Sequence, residues 1–372
     1  MTSLPKVIFI IPSFAAGGTQ NYLLRFCKYA QNRFDITVLA HKKVENSLEA
    51  DFHALELKVK YQSLGYFNLA KANRFRSFLK ENRFDTICNL QGNFAGLSLC
   101  LAQQVDIPNR VAFYRRSSPA FTQNFKNKLY FRFANKWVNN YATKILSNSE
   151  FAFKAFFPHR NTMDNRFHVI FNGVEKSLFE VSANVDSLRC QLKIPQSAKV
   201  ICHVGRWDAA KNHQTIFKTA AILQNKIENV FFLFCGMQTD SKQFKALLRE
   251  YGIGGFSLGL GLHGDIGKIL KASDAFIFPS ITEGQPNALI EAMMANLPVV
   301  VSDIEPLKVM FPQNTSLPFH PPLQASSFAE TLEKILQDTN FSENFKFQAF
   351  AEARFNFSDR FEEFIQVLSP FS

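Results

Sequence analysis

An α/β fold built from parallel sheets and divided between two domains is predicted by three properties of this 372-residue chain. Short apolar runs alternate with helical patterns along its length, the order that strand-helix-strand units require. The chain is longer than a typical single domain. Its 47% hydrophobic content supplies two ordinary cores.

In chain order, strands are expected near Val7–Ile11, Ile36–Ala40, Thr86–Leu90, Val111–Tyr114, Lys144–Ser147 and His168–Phe171, with helices between them. A second series follows near Val200–Val204, Val230–Cys235, Ala275–Pro279 and Val299–Ser302. Between the two series, NGVEKSLFEVSANVDS, from Asn172 to Ser187, is polar and irregular and marks the expected boundary. The domains are placed at 1–180 and 181–342, with further helices over 343–372. No internal repeat and no low-complexity tail is present.

The most informative segment is EGQPNALIEAMMANLPVVVSD, in which Glu291 follows Glu283 by eight positions inside the apolar run ALIEAMMA. Burying a lone carboxylate is costly without a partner. Pro286 suits a first helical position, where a missing amide hydrogen does no harm. Glu283 then lies in the loop before a helix and Glu291 about two turns inside it. The amides of Asn287, Ala288 and Leu289 at the helix start favour a phosphate, while the carboxylates accept hydrogen bonds from sugar hydroxyls. For Glu283 alone, complementing the helix dipole is the simpler explanation. Glu291 is expected to interrupt the face that packs into the core, the alternative being a place at the margin of an amphipathic helix.

A second constellation is HVGRWDAAKNHQTIFKTAAIL, where Val200–Val204 reads as a buried strand and Asn212 onward as an amphipathic helix. Gly205, Arg206 and Lys211 fall on the connecting loop. Ligands of open α/β sheets bind at the carboxyl ends of strands. Two cations there suit a diphosphate, Arg by its fork and Lys as a point charge. Alone, such loop cations are more often simply solvated.

Taken together, GRWDAAKNHQ and SDAFIFPSITEGQPNALIEAMMANLPVVVSD resemble the C-terminal half of the family 4 retaining glycosyltransferases, including their pattern of two Glu separated by seven residues. GGTQNYLLRF, ILSNSEFAFKAF and VIFNGVEKSLF extend the resemblance over most of the chain. It implies the GT-B fold, two facing Rossmann-like domains with an interdomain cleft that holds a nucleotide-sugar. It also implies that Arg206 and Lys211 bind the donor diphosphate and stabilise its developing charge, that Glu283 contacts the transferred sugar, and that Glu291 holds the ribose. Gly17, Gly18, Gly205, Gly284, Asn287, Ala288 and Leu289 complete the implied donor-binding set. The Gly17-Gly18 loop would approach the phosphates or the acceptor, glycine permitting close backbone approach; a tight strand-to-helix turn is the plainer reading. Where relatives place a functional His or Asp near RVAFYRRSS, this chain has Tyr114, Arg115 and Arg116, so no catalytic base is assigned. The C-terminal helices from Glu343 onward are implied to cross back onto the first domain.

The chemistry implied is a retaining, metal-independent sugar transfer from a nucleotide-diphosphate-sugar to a saccharide or lipid-linked acceptor. It is driven by electrostatic stabilisation of the departing diphosphate. The donor is a co-substrate, and no cofactor is expected. No HExxH, clustered His spacing or DxD points to a metal site.

The 42 Phe residues are spread throughout and read as compositional bias. Cys27, Cys88, Cys100, Cys190, Cys202 and Cys235 form no CxxC pair, which suggests reduced core cysteines in a cytoplasmic protein. No signal peptide or segment of transmembrane length is read. Charge is asymmetric: residues 1–170 hold 24 Lys and Arg against 10 Asp and Glu, net +14, and the remainder 18 against 21, net −3. The stretch FTQNFKNKLYFRFANKWVNNY interleaves basic and aromatic residues like an interfacial helix, so an anionic membrane surface is an expected partner, with a solvated basic helix as the alternative. No nucleic-acid motif accompanies it.

Gly259, Gly261 and Gly264 satisfy GxGxxG, but late in the chain and with Asp265 before the next helix; a loop bordering the cleft is expected rather than a dinucleotide fingerprint. Two other classes stay open: a sugar-nucleotide 2-epimerase of the same general fold, and a non-catalytic nucleotide-sugar or membrane-binding protein.

Overall fold

The computed structural model describes residues 4–15, 17–45, 47–65, 68–115, 125–180 and 185–369. The chain divides into two units, Met1–Gly173 with Ser358–Ser372, and Val174–Phe357.

The first unit holds seven strands: β1 (Lys6–Ile11), β2 (Asp35–Ala40), β3 (Lys58–Tyr61), β4 (Thr86–Asn89), β5 (Asn109–Tyr114), β6 (Lys144–Ser147) and β7 (Phe167–Val169). They form one parallel sheet in the order β3-β2-β1-β4-β5-β6-β7. Central strands such as KVIFII in β1 are almost wholly buried, because a parallel sheet is covered on both faces. The second unit holds β8 (Lys199–Val204), β9 (Val230–Cys235), β10 (Ser257–Gly261), β11 (Ala275–Phe278) and β12 (Val299–Val301), all parallel in the order β10-β9-β8-β11-β12. Chain order reverses between β1 and β4 in one sheet and between β8 and β11 in the other. Such switch points are where open α/β sheets bind ligands.

Of the four sheet-edge strands, β3 and β10 were not anticipated. In KVKY of β3 the two lysines break the apolar run, and in SLGLG of β10 glycines conceal the strand. The expected loop containing Gly259 and Gly261 is therefore β10 itself, with only Gly264 in the turn that follows. A Cβ on Gly259 would collide with the Thr239 carbonyl, so this glycine serves close chain packing. Asp265 caps the helix Ile266–Lys271 by accepting from the Lys268 amide at 3.2 Å.

Of the residues from Glu343 onward, those before the last helix stay with the second unit. There the Phe345 carbonyl accepts from Val299 at 3.0 Å, and the Phe355 carbonyl accepts from Val174 at 3.0 Å. Only the helix Phe357–Leu368 packs into the first unit. Its Phe364 ring lies 4.5 Å from Phe26 and 5.3 Å from Phe113, and its Phe361 ring 5.4 Å from Tyr22. Thr86 Oγ1 donates to the Leu368 carbonyl at 2.7 Å, fastening the helix end to β4.

Cys27, Cys88, Cys202 and Cys235 are buried free thiols, whereas Cys100 is half-buried and Cys190, on the helix Val185–Gln191, is exposed. Among the described residues no helix is long and apolar enough to cross a membrane.

Candidate active site

The loop after β8 is shaped before any ligand is considered. Gly205 N–H donates to the Cys235 carbonyl at 2.8 Å, and Trp207 N–H to the Met237 carbonyl at 2.9 Å, so this loop is stitched to the one after β9. Gly236 lies at the contact with φ of 145°, and a Cβ there would collide with the Gly205 carbonyl. Asp208 caps the single turn Ala209–Lys211 by accepting from the amides of Ala210 at 3.0 Å and Lys211 at 3.3 Å. Its other oxygen takes Arg206 Nε at 2.5 Å. Burial alone would raise the Asp208 pKa, but the Arg206 hydrogen bond and charge, helped by Lys211, hold it below its ordinary value.

The loop after β11 is fastened to this one at two points. Ile281 N–H donates to the Ala210 carbonyl at 2.8 Å, and Asn212 Nδ2 to the Pro279 carbonyl at 3.0 Å. The result brings together two sequence-predicted residues 72 positions apart: Lys211 Nζ meets Glu283 Oε1 at 2.6 Å. Only 19% of the lysine side chain and 10% of the glutamate are exposed. The ammonium also lies 4.9 Å over the Phe278 ring. Arg206 remains exposed, with a solvent-facing guanidinium tethered by Asp208. The site thus occupies the carboxyl ends of β8 and β11, the switch point of the second sheet.

The helix Asn287–Met294 begins one residue later than expected, Pro286 being its N-cap in an extended conformation rather than its first residue. The Pro286 carbonyl accepts from Leu289 N–H at 3.2 Å, which removes the Leu289 amide from those available to an anion. Glu291 does not interrupt the packed face. That face is Leu289, Ile290, Ala292, Met293 and Met294, whereas Glu291 shares a half-exposed stripe with Asn287 and Ala288, four and three residues before it. Gly284, also half-exposed, follows Glu283 in the loop.

Beneath the Arg206–Lys211 loop lies a feature the sequence did not disclose, the buried pair His203 and His213, ring centroids 4.8 Å apart. His203 Nδ1–H donates to the Ile277 carbonyl at 2.9 Å. Burial, with the neighbouring histidine as a second cause, pushes the His203 pKa well down. Burial likewise lowers His213 to about 4, Asp208 opposing and Lys211 adding to the effect. Both rings are neutral at pH 7. A histidine in an apolar strand reads as core, so nothing in the sequence singled out His203, and the Asp208 cap of the loop was likewise found only in the structure.

In the first unit, Gly17 is the extended N-cap of the helix Gly18–Ala30 and Gly18 its first residue. Neither has a left-handed backbone, so the turn itself does not demand glycine. Arg115 places its guanidinium 3.6 Å over the Tyr22 ring and donates from Nη2 to Asn172 Oδ1 at 2.8 Å; Tyr114 Oη donates to Asn135 Oδ1 at 2.9 Å. Arg116, and FTQN at the start of the basic stretch, lie outside the described residues. No cluster of three metal-ligating side chains is present among the described residues.

Residues 16–178 match the family described as Glycosyltransferase Family 4, and residues 184–351 match Glycosyl transferases group 1. The capsular polysaccharide biosynthesis glycosyltransferase CapH of Staphylococcus aureus is 24% identical, covering 89% of this chain and 90% of its own. An Escherichia coli UDP-Gal:alpha-D-GlcNAc-diphosphoundecaprenol alpha-1,3-galactosyltransferase is 33% identical over a shorter region, 37% of each chain. The solved structure of Anabaena HepE, in complex with UDP and glucose, superposes with a TM-score of 0.81 at 18% identity, over 98% of this chain and 99% of that one.

Proposed function

From a chain that belongs to the family 4, group 1 glycosyltransferases and has their GT-B fold of two parallel-sheet units, we propose a specific reaction. The protein moves a sugar from a nucleoside-diphosphate sugar to a hydroxyl of a saccharide or lipid-linked glycan, with retention of anomeric configuration and without a metal. The acceptor belongs to cell-surface polysaccharide or lipopolysaccharide synthesis. CapH is named for capsule synthesis, and the Escherichia coli relative for a diphosphoundecaprenol acceptor, which supports this acceptor class.

The observation that carries the reading is the Lys211–Glu283 pair at the second sheet's switch point. As the bond from anomeric carbon to phosphate oxygen breaks, negative charge grows on the diphosphate. Lys211 and Arg206 supply fixed positive charge for it, which needs little reorganisation because both loops are already fastened. Glu283, held by Lys211, accepts from hydroxyls of the transferred sugar, and Glu291 from the ribose. The acceptor hydroxyl attacks the anomeric carbon, and its proton leaves with the departing phosphate or to solvent.

Thermal unfolding of the purified protein against UDP, GDP, ADP, their sugar conjugates and NAD tests this, because a ligand at about 100 times its dissociation constant adds roughly 2.7 kcal/mol. Stabilisation by one nucleoside diphosphate and its sugars, retained with EDTA, is expected. Stabilisation by NAD alone would overturn the transferase reading.

A further inference from the structure

One carboxylate, Asp208, touches both cationic residues of the loop after β8. Its backbone is extended, and residues two apart in an extended segment share a face, which sets Arg206 beside it. Trp207 between them is anchored elsewhere, its ring 5.6 Å from that of Phe244 and its amide on the Met237 carbonyl. The Asp208 carboxylate is immobilised by its cap: Oδ1 accepts from the amides of Ala210 at 3.0 Å and Lys211 at 3.3 Å. Oδ2, which the cap leaves over, takes Arg206 Nε at 2.5 Å.

The bond is made through Nε, not through the end of the fork. The Arg206 side chain is 68% exposed, so its two Nη groups stay open to a ligand. An arginine so exposed would otherwise sample many rotamers, and a carboxylate already held by two backbone amides selects among them.

Charge alone gives Asp208 no use at an anion site. With Glu283 it cancels the positive charge of Arg206 and Lys211, and a carboxylate beside a diphosphate repels it. Capping alone does not demand Asp either, since Ser or Asn caps as well. Placement of the guanidinium is the one role here that needs a charged acceptor.

We propose that Asp208 is a positioning residue for the donor diphosphate: through Oδ2 it holds Arg206 with both Nη groups presented to the phosphates, and through Oδ1 it holds the turn that carries Lys211. As a role in the reaction this rests on the transferase reading above; the tether between Asp208 and Arg206 does not.

Asp208→Asn separates placement from charge, because Oδ1 still caps the turn while Nδ2 opposes Nε–H. If only charge mattered, inorganic pyrophosphate would bind this variant more tightly than the parent. Placement predicts the opposite, a weakening of about twofold to fivefold, the bias an exposed ion pair provides. Titration calorimetry with pyrophosphate in EDTA, on the full chain as parent, Asp208→Asn, Arg206→Ala and the double variant, reads the sign. Arg206→Ala should weaken binding, and adding Asp208→Asn to it should weaken binding no further, since no fork remains to be held. Tighter binding in Asp208→Asn, or the same weakening in both backgrounds, would overturn the proposal. Nitrogen-15 NMR supplies a readout that needs no ligand: the Arg206 Nε–H signal, assigned by its loss in Arg206→Ala, should exchange with water more slowly in the parent than in Asp208→Asn. Equal exchange would mean that there is no tether. A protected Nε–H in a parent that binds no pyrophosphate would overturn the diphosphate role together with the transferase reading, and leave only the tether.

Discussion

Lys211 and Glu283 form a mostly buried ion pair, so removing one should harm both stability and transfer. In Lys211→Met the mostly buried Glu283 carboxylate loses its counter-charge, and a destabilisation of about 1–3 kcal/mol is expected. Transfer should fall about 10²–10³-fold, as when one donor to a developing charge is removed. Adding Glu283→Gln should restore much of the stability and none of the turnover. Urea unfolding with turnover on the parent and both variants measures this; a double variant as unstable as the single would deny the coupling. The histidine beneath gives a pH signature. His213 titrates near 4 when folded and near 6.5 when unfolded, so the unfolded chain binds the extra proton between those values and stability falls as pH is lowered through that window. The full loss is about 3 kcal/mol, complete near pH 4 and absent above pH 7. His213→Phe should flatten that part of the pH dependence in thermal melts from pH 7 to 4.5, and a slope equal to the parent's would remove His213 as its source. The cations and carboxylates were legible because their chemistry conflicts with apolar surroundings or serves a known spacing. The histidine pair was not, since neutral His203 sits in a strand without disturbing its apolar pattern.

Helix Phe357–Leu368 completes the core of the first unit although more than 180 residues separate it from the rest of that unit. Phe364 is fully buried, within 6.3 Å of the rings of Phe9, Phe26, Tyr22 and Phe113. Phe364→Ala should cost about 3–5 kcal/mol, the transfer and cavity terms together. Calorimetry should show the transition of the first unit lowered and that of the second little changed; a shift confined to the second would contradict the division. The sequence was most informative where a strand is central and wholly apolar, as in VFFLFC of β9, whose bounds were anticipated without error. It was least informative at β3 and β10, where lysines and glycines interrupt the apolar run, although the other two edge strands, β7 and β12, were anticipated. Glu291 shows the same limit on a helix: apolar neighbours made it look buried, but over an eight-residue helix a half-exposed stripe needs only two or three positions.

Charge concentrates in the N-terminal part of the chain, net +14 over residues 1–170, and one of its helices adds an exposed apolar component. On Phe125–Tyr141, Phe133 is 57% exposed, its ring 5.3 Å from that of Trp137, which lies 6.2 Å from that of Tyr141. These aromatics recur every four residues, with Arg132 and Lys136 exposed beside them; Ala134 and Val138 lie in the core, and Trp137 and Tyr141 are half-buried against it, so Phe133 is the exposed ring. Such a surface should bind anionic bilayers by two separable contributions. Each cation near the membrane contributes about 1 kcal/mol at low salt, and this part fades as the screening length falls from about 10 Å at 0.1 M to about 3 Å at 1 M. The aromatic part is insensitive to salt. Sedimentation with phosphatidylserine-containing vesicles should therefore show strong binding at low salt, a residual fraction at 1 M salt, and little binding to neutral vesicles. Arg132→Glu with Lys136→Glu should remove the salt-dependent part, and Phe133→Ser the residual. Equal binding to neutral and anionic vesicles, or binding untouched by all three substitutions, would mean that the basic face is merely solvated and that a lipid-linked acceptor must reach the enzyme by another surface.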